Sequence, residues 1–310
     1  MKGLFAAALL ARLESVSLAG RGLAGCFDMI AGTSTGAIVA LALAAGVPAA
    51  DILALYRERG GDIFPRKRQF GVLAPAYKSV VLARELSAMF GARLFGDVAT
   101  RLCIPSADGR HGDVAVFKTP HHPDFGKDWS MPMTDVALAS SAAPTFLRVH
   151  HAGGYQFIDG GVWANNPVMV GVVDALSCYD IAPSQIRVLS IGAGAVKPVL
   201  GTGPLTFGGA LGWLHRGVLL ESMMHYSARN ADGQAGLLIG RDRLVRIEPQ
   251  GNAAAIHMTD HAQAAALLPA EAERAVSDLA TQLAPLLVAD RAPPGFFYGP
   301  AATPGIGDGS

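Results

Sequence analysis

A chain of 310 residues with a formal net charge of +0 and a sequence pI near 7.1 has no global field to hold nucleic acid or steer an acidic substrate, so any such binding has to be local. Hydrophobic residues make up 51% and charged residues 16%, which suits a large core or an enzyme working on greasy substrates. Three widely spaced cysteines, Cys26, Cys103 and Cys178, exclude a disulfide framework and offer no metal-ligand spacing, so a reducing cytoplasm is the simpler setting.

In chain order, the opening MKGLFAAALLARLESVSLAG mimics a secretory signal, but Arg12 and Glu14 interrupt it. Leu4, Ala7, Ala8 and Ala11 recur at helical spacing and predict a half-buried helix from Gly3 to about Ala19. CFDMIAG reads as a short apolar strand, Ser34 to Ala45 as a second helix, and AADILALYRERGG as a third. The apolar run Ala37 to Val47 is shorter than the roughly 20 residues a bilayer span needs. Asp62 to Lys78 reads as a long surface segment, with Arg66, Lys67 and Arg68 set among Phe64, Phe70 and Tyr77; it is either a solvated loop or a lid pressed on anionic lipid. RLCIPSAD and DVAVFKTP follow as strands, DVALASSAA as a helix, GYQFIDGG as a strand, PVMVGVVDAL as a helix and IRVLSIGAG as a buried strand. This alternation predicts an α/β fold with a mainly parallel sheet covered on both faces. Residues 1–290 read as one domain, and 291–310 as a Pro/Gly-rich tail, poorly ordered or extended.

Gly32-Thr33-Ser34-Thr35-Gly36 fits the pattern G-x-S-x-G, flanked by a strand before and a helix after, as a nucleophile elbow requires. Glycines two residues either side, Gly32 and Gly36, are expected to spare the sharp turn a collision. The helix starting at the serine aims free N–H groups at the site, with that of Thr35 the expected first oxyanion donor. The plainer reading is a serine capping a helix after a tight turn. A serine hydroxyl needs a base, which directs attention to FIDGGVWANNP, where Asp159 ends a strand and Gly160 and Gly161 let backbone come close. Alone, DGG would read as an Asx turn.

Together FDMIAGTSTGAIVALALA, VALASSAAPTFL, FIDGGVWANNPVMVGVVDAL and VLSIGAG resemble the successive core segments of the patatin-like phospholipase family, over about the first two thirds of the chain. The resemblance implies a three-layer α/β/α domain and hydrolysis of lipid acyl esters through a Ser-Asp dyad. Ser34 is then the nucleophile, forming an acyl-enzyme, and Asp159 the general base. Asn165 and Asn166 order the loop after the base, and neither cofactor nor metal is needed. The substrate is membrane phospholipid or another acyl lipid, met by a cytoplasmic protein peripheral at the inner membrane, with no DNA or RNA binding. Family members begin with a strand and a loop D-G-G-G-x-[KR]-G that forms the oxyanion hole. Met1-Lys2-Gly3 aligns only with its end, leaving Lys2 and Gly3 as oxyanion support. The expectation is that Met1 is an internal start and that about a dozen or more residues precede it. If the chain is whole, activity is weak or absent, since losing one oxyanion donor costs on the order of a hundredfold to a thousandfold. The alternative is then a binding or regulatory protein that kept the fold.

VFKTPHHPDFGKDW resembles a stretch of those bacterial patatin-like enzymes that include cyclic-nucleotide-activated anti-phage effectors, which makes a cyclic nucleotide a candidate activator. His121 and His122 then touch lipid or signal, or are merely solvated, and a third metal ligand at suitable spacing is missing. A Ser-Asp-His esterase is the remaining rival, with His215, His225, His257 and His261 all following Asp159. Met223 and Met224 read as packing, and Gly192-Ala193-Gly194 as a strand-end turn.

Overall fold

The computed structural model describes residues 3–18, 22–65, 75–194, 218–254, 256, 260–287 and 294–304. Helix α1 (Gly3–Ser17) buries Leu4, Phe5, Leu9 and Leu13 against α3 (Ala49–Ile63) and α9 (His261–Asp278). Helix α2 (Thr35–Ala44) is apolar on every side and buried from Ala37 to Ala44, as befits a helix enclosed by the core. Glu14 is buried in α1 without an ion-pair partner among the described residues. Its carboxylate instead accepts the N–H groups of Leu23 at 3.3 Å and Ala49 at 2.8 Å, which offsets the cost of burial.

The sheet is organised around β2 (Arg101–Asp108), an eight-residue strand buried along most of its length. One edge of β2 pairs antiparallel with β3 (Asp113–Lys118). Along the other edge lie two short strands, β1 (Met29–Ala31), parallel, and β5 (Tyr155–Asp159), antiparallel. Ala31 stands opposite Cys103 and Asp159 opposite Ser106, so β1 and β5 run toward each other and stop either side of Pro105. The carbonyl of Cys103 points to the β1 edge, where it accepts from Gly32 N–H, so Pro105, two residues on, faces the gap. Its missing N–H therefore costs the ladder nothing. Strand β4 (His150–Ala152) completes the five, hairpinned to β5 through Gly153 and Gly154 at φ 56° and 84°, a turn suited to glycine.

Helices α2 and α5 (Met133–Ser140), the latter packed on α4 (Ser79–Phe90), cover one face of this sheet, and α6 (Gly161–Ala164) and α7 (Val168–Cys178) the other. The three-layer α/β/α class is as expected. Pairing within it is mixed, because the short connections β2–β3 and β4–β5 can join only antiparallel neighbours. Strands β6 (Val188–Ile191) and β7 (Leu244–Ile247) form a separate parallel pair, and the long α8 (Val218–Ile239) packs on α7 and β7.

The described part of the expected surface segment is not all surface. Ile63, Ala76 and Tyr77 are buried, and the Tyr77 ring sits 5.3 Å from Phe64 and 6.3 Å from Phe146. Residues 66–74, with Arg66, Lys67, Arg68 and Phe70, lie outside the described residues, as do Lys2, His215 and His257. Within the Pro/Gly-rich ending, residues 294–304 are docked. Phe296 is buried, Phe297 N–H donates to Pro120 O at 2.7 Å, and the Tyr298 hydroxyl donates to Pro123 O at 2.7 Å. Among the described residues no helix is long and apolar enough to cross a membrane.

Candidate active site

The head-to-head arrangement of β1 and β5 brings residues 125 positions apart to one point. Ser34 Oγ donates to Asp159 Oδ2 at 2.5 Å. Ser34 stands between β1 and α2 with φ 57° and ψ −122°, a conformation L side chains rarely adopt and which costs of order 1–3 kcal/mol. Three contacts hold it there. Ser34 N–H donates to Ser140 Oγ at 3.0 Å, and the Ser140 hydroxyl in turn donates to Pro105 O at 2.6 Å, inside the gap in the β2 edge. Thr33 Oγ1 donates to Ala164 O at 2.7 Å, tying the elbow to the helix that follows Asp159. Gly32 is required: a Cβ there would lie 2.3 Å from Gly36 O. Gly36 is not required on the ground expected, since a Cβ there would meet nothing within 4 Å and its φ is ordinary.

Asp159 is 3% exposed. Its Oδ1 accepts Gly161 N–H at 2.6 Å, which turns Oδ2 toward the serine. Burial pushes its carboxyl up to about 6, against the opposing pull of the hydrogen bonds from Ser34 and Gly161. Gly160 admits no side chain, because a Cβ would sit 2.3 Å from Pro105 O. At Gly161 a Cβ would press on Asp159 Oδ1 at 2.9 Å and Met224 Cε at 3.1 Å. Asn165 Nδ2 donates to Met224 O at 3.3 Å, and Asn166 Nδ2 to Asp232 Oδ1 at 2.8 Å, so both asparagines fasten the loop after Asp159 to α8.

Thr35 is the first residue of α2, and its N–H belongs to the first turn, which a helix leaves without internal acceptors. Its hydroxyl lies 2.6 Å from the Tyr56 hydroxyl, whose pKa burial pushes up to about 12. Gly3 starts α1 directly against this pair, with room for no more than hydrogen: its Cβ would fall 2.1 Å from Thr35 Oγ1. Sequence reasoning missed Ser140, Thr33 and Tyr56. For Ser140 the available signal was a serine pair ending the apolar run DVALASSAA.

The described histidines that follow Asp159 have other partners. His261 Nε2 bonds Arg57 O at 2.9 Å, and His225 packs edge-on to Tyr226. Among the described residues, the side-chain partner of Ser34 Oγ is Asp159. His121 is a correction to the solvated reading, being 3% exposed. Its Nε2 lies 2.7 Å from Asp174 Oδ2 and its Nδ1 2.8 Å from Thr119 Oγ1. Folding also supplies the third donor that spacing lacked: donor atoms of Cys103, His121 and Asp174 fall within 4.8 Å of one another. Lys118 Nζ, however, already sits 2.6 Å from Asp174 Oδ1. Burial, and then the Asp174 charge, hold the Cys103 thiol well above its usual pKa. Asp174, on α7, thus joins Lys118 and His121 in one polar cluster beside Cys103.

Fold and geometry together define a three-layer α/β protein with a hydroxyl–carboxylate pair at a break in the sheet edge. The profile of the family Patatin, described as Patatin-like phospholipase, matches residues 1–172, and the chain belongs to that family. It is 37% identical over 178 residues to a cGAMP-activated phospholipase of Escherichia coli (strain TW11681), covering 54% of this chain and 50% of the relative. To a cGAMP-activated phospholipase of Pseudomonas aeruginosa it is 38% identical over 199 residues, covering 62% and 59%. To Patatin-like protein 1 of Oryza sativa subsp. indica it is 34% identical over 235 residues, covering 63% and 55%. The chain thus spans between half and three fifths of the length of these curated relatives.

Proposed function

We propose that this protein hydrolyses acyl esters of membrane phospholipids as a serine hydrolase of the phospholipase A type, and that a cyclic nucleotide switches it on. The observation that carries the reading is the 2.5 Å hydrogen bond from Ser34 Oγ to a buried Asp159 oxygen, made by a serine on a strained turn. Ser34 Oγ attacks the ester carbonyl as its proton passes to Asp159 Oδ2, and the carbonyl π pair moves to oxygen. The oxyanion is stabilised by N–H groups at the α2 N-terminus, Thr35 foremost. Collapse expels the alcohol, which leaves with the proton from Asp159 and the acyl group on Ser34. Water, deprotonated by the same carboxylate, then releases the fatty acid. A base near 6 suits this proton transfer, being ionised at neutral pH yet accepting a proton more readily than an ordinary carboxylate. Support for the switch comes from the relatives named as cGAMP-activated.

The test pairs fluorophosphonate labelling with fatty-acid release from phosphatidylglycerol vesicles, with and without cGAMP, in wild type and Ser34→Ala. The expected outcome is one label per chain at Ser34 and cGAMP-stimulated release, both lost in the variant. Release that survives Ser34→Ala refutes the mechanism.

A further inference from the structure

The described residues contain a second built feature, a cavity of about 390 Å³ between α8, β7 and the turn joining them. Its walls carry three guanidinium groups, Arg229, Arg241 and Arg246, against one carboxylate, Asp232. Its floor is the α8 backbone at Gly233 and Gly236, two glycines placed where a helix disfavours them. A Cβ at Gly233 would meet nothing within 4 Å, so the floor lies open to whatever occupies the cavity.

The arginines are unequally engaged. Arg246 is anchored, its Nη2 2.5 Å from Glu248 Oε1, its Nη1 2.6 Å from Ser190 Oγ and its Nε 3.4 Å from Asp232 Oδ2. Arg229 reaches Asp232 only at 3.9 Å, with its side chain 63% exposed. Arg241 pairs with no acid among the described residues, since the neighbouring Asp242 turns to Arg243 at 3.5 Å. One fixed and two loosely held guanidinium forks around a concave floor suit a phosphate diester, whose oxygens accept such forks two at a time.

Asp232 faces both ways. Its Oδ2 looks toward Arg246 and Arg229, while its Oδ1 accepts from Asn166, in the loop after Asp159. An anion in the cavity competes with Asp232 for those guanidinium groups, and what holds Asp232 also holds Asn166. We propose that this cavity binds a phosphodiester anion, and that its occupancy reaches the Ser34–Asp159 pair through Asp232 and Asn166. The second part of this inference rests on the proposed hydrolase; the first does not. A nucleotide in solution and a lipid head group share that chemistry, and the experiment separates them.

Calorimetric titration of the full chain with cGAMP, and co-sedimentation with phosphatidylglycerol vesicles, are run on wild type, Arg241→Ala, Gly233→Leu and Ser34→Ala. Wild type and Ser34→Ala should bind alike. Arg241→Ala should weaken binding by about tenfold, the loss of one charge-assisted contact, and Gly233→Leu, which fills the open floor, by more. Thermal melting at or above the wild-type temperature certifies both variants as folded, Gly233→Leu being expected to melt higher because it replaces a glycine inside a helix. Sensitivity to Arg241 and Gly233 in the cGAMP arm assigns the cavity to a nucleotide, and in the vesicle arm alone to a lipid head group. Binding indifferent to both substitutions, or absent from both arms, overturns the site. Intact Arg241-dependent binding by a protein that never hydrolyses lipid refutes the enzymatic reading and leaves the cavity standing.

Discussion

Asp159→Asn should make the protein more stable and inactive. Burial raises the Asp159 carboxyl from 3.8 to about 6 even after the hydrogen bonds from Ser34 and Gly161 have pulled the other way. A shift of about two units means that keeping the group ionised in the native state costs about 3 kcal/mol at neutral pH. Asparagine has the same shape, can accept from Gly161 N–H through its oxygen and donate to Ser34 Oγ, and removes the charge. The sign follows from proton binding. Between pH 3.8 and about 6 the native state holds a proton that the unfolded chain has lost, so this group's penalty grows as pH rises through that window and is full above it. The variant should therefore melt roughly 4 °C above wild type at pH 8 for a chain of 310 residues. The gap should close on titration to pH 4. Hydrolysis should fall by about a thousandfold or more with loss of the base, and wild-type kcat/KM should decline below about pH 6 as the carboxylate protonates. Scanning calorimetry at pH 8, 6 and 4, beside a pH-rate profile, reads all of this. A variant that melts at or below wild type, or a gap that does not change with pH, would show that Asp159 is not a strained buried anion.

Ser140→Ala removes the acceptor of Ser34 N–H and the donor to Pro105 O. It should lower kcat about ten- to a hundredfold with KM little changed, at a stability cost of about 1–3 kcal/mol for the buried groups left unpaired, as read by steady-state kinetics and urea titration. Gly160→Ala sets a methyl 2.3 Å from a backbone carbonyl that cannot turn aside, so soluble yield and melting temperature should both fall, by the equivalent of about 3 kcal/mol or more. Asp174→Ala leaves His121 and Lys118 without their shared carboxylate, which burial works to raise but those two partners hold below its ordinary pKa. Breaking such a pair should cost about 3–5 kcal/mol in urea titration, while the fluorophosphonate labelling rate of the remaining folded protein stays at the wild-type level.

Ser34 and Asp159 were each legible as candidates because each carries a local sign of its place, a serine between glycines at a strand-to-helix junction and an aspartate ending a strand before two glycines, while their pairing was implied only by the family resemblance. What joins them was not legible, because it is a property of β2. That two short strands share one edge of a third and meet at Pro105 depends on register across residues 29–159, and no window of sequence contains it. His121 was misread for a related reason. The run TPHHPD is polar and rich in turn residues, so locally it reads as solvated, yet its burial is decided by Asp174 and Lys118, which arrive from α7 and β3. Helix α8 shows the same limit. Its apolar residues, exposed at Leu219, Met223 and Tyr226 and buried at Ala235 and Ile239, keep no single periodic face, because its first half lies over α6 and its second half over α7 and β7. Local patterning thus reported which residues carry chemistry, and topology alone decided which of them meet. It follows that the Asp232–Asn166 contact, 66 positions apart and between polar residues of ordinary appearance, is of the kind sequence cannot announce. A link between an arginine-lined cavity and the loop after Asp159 has to be sought in the folded chain.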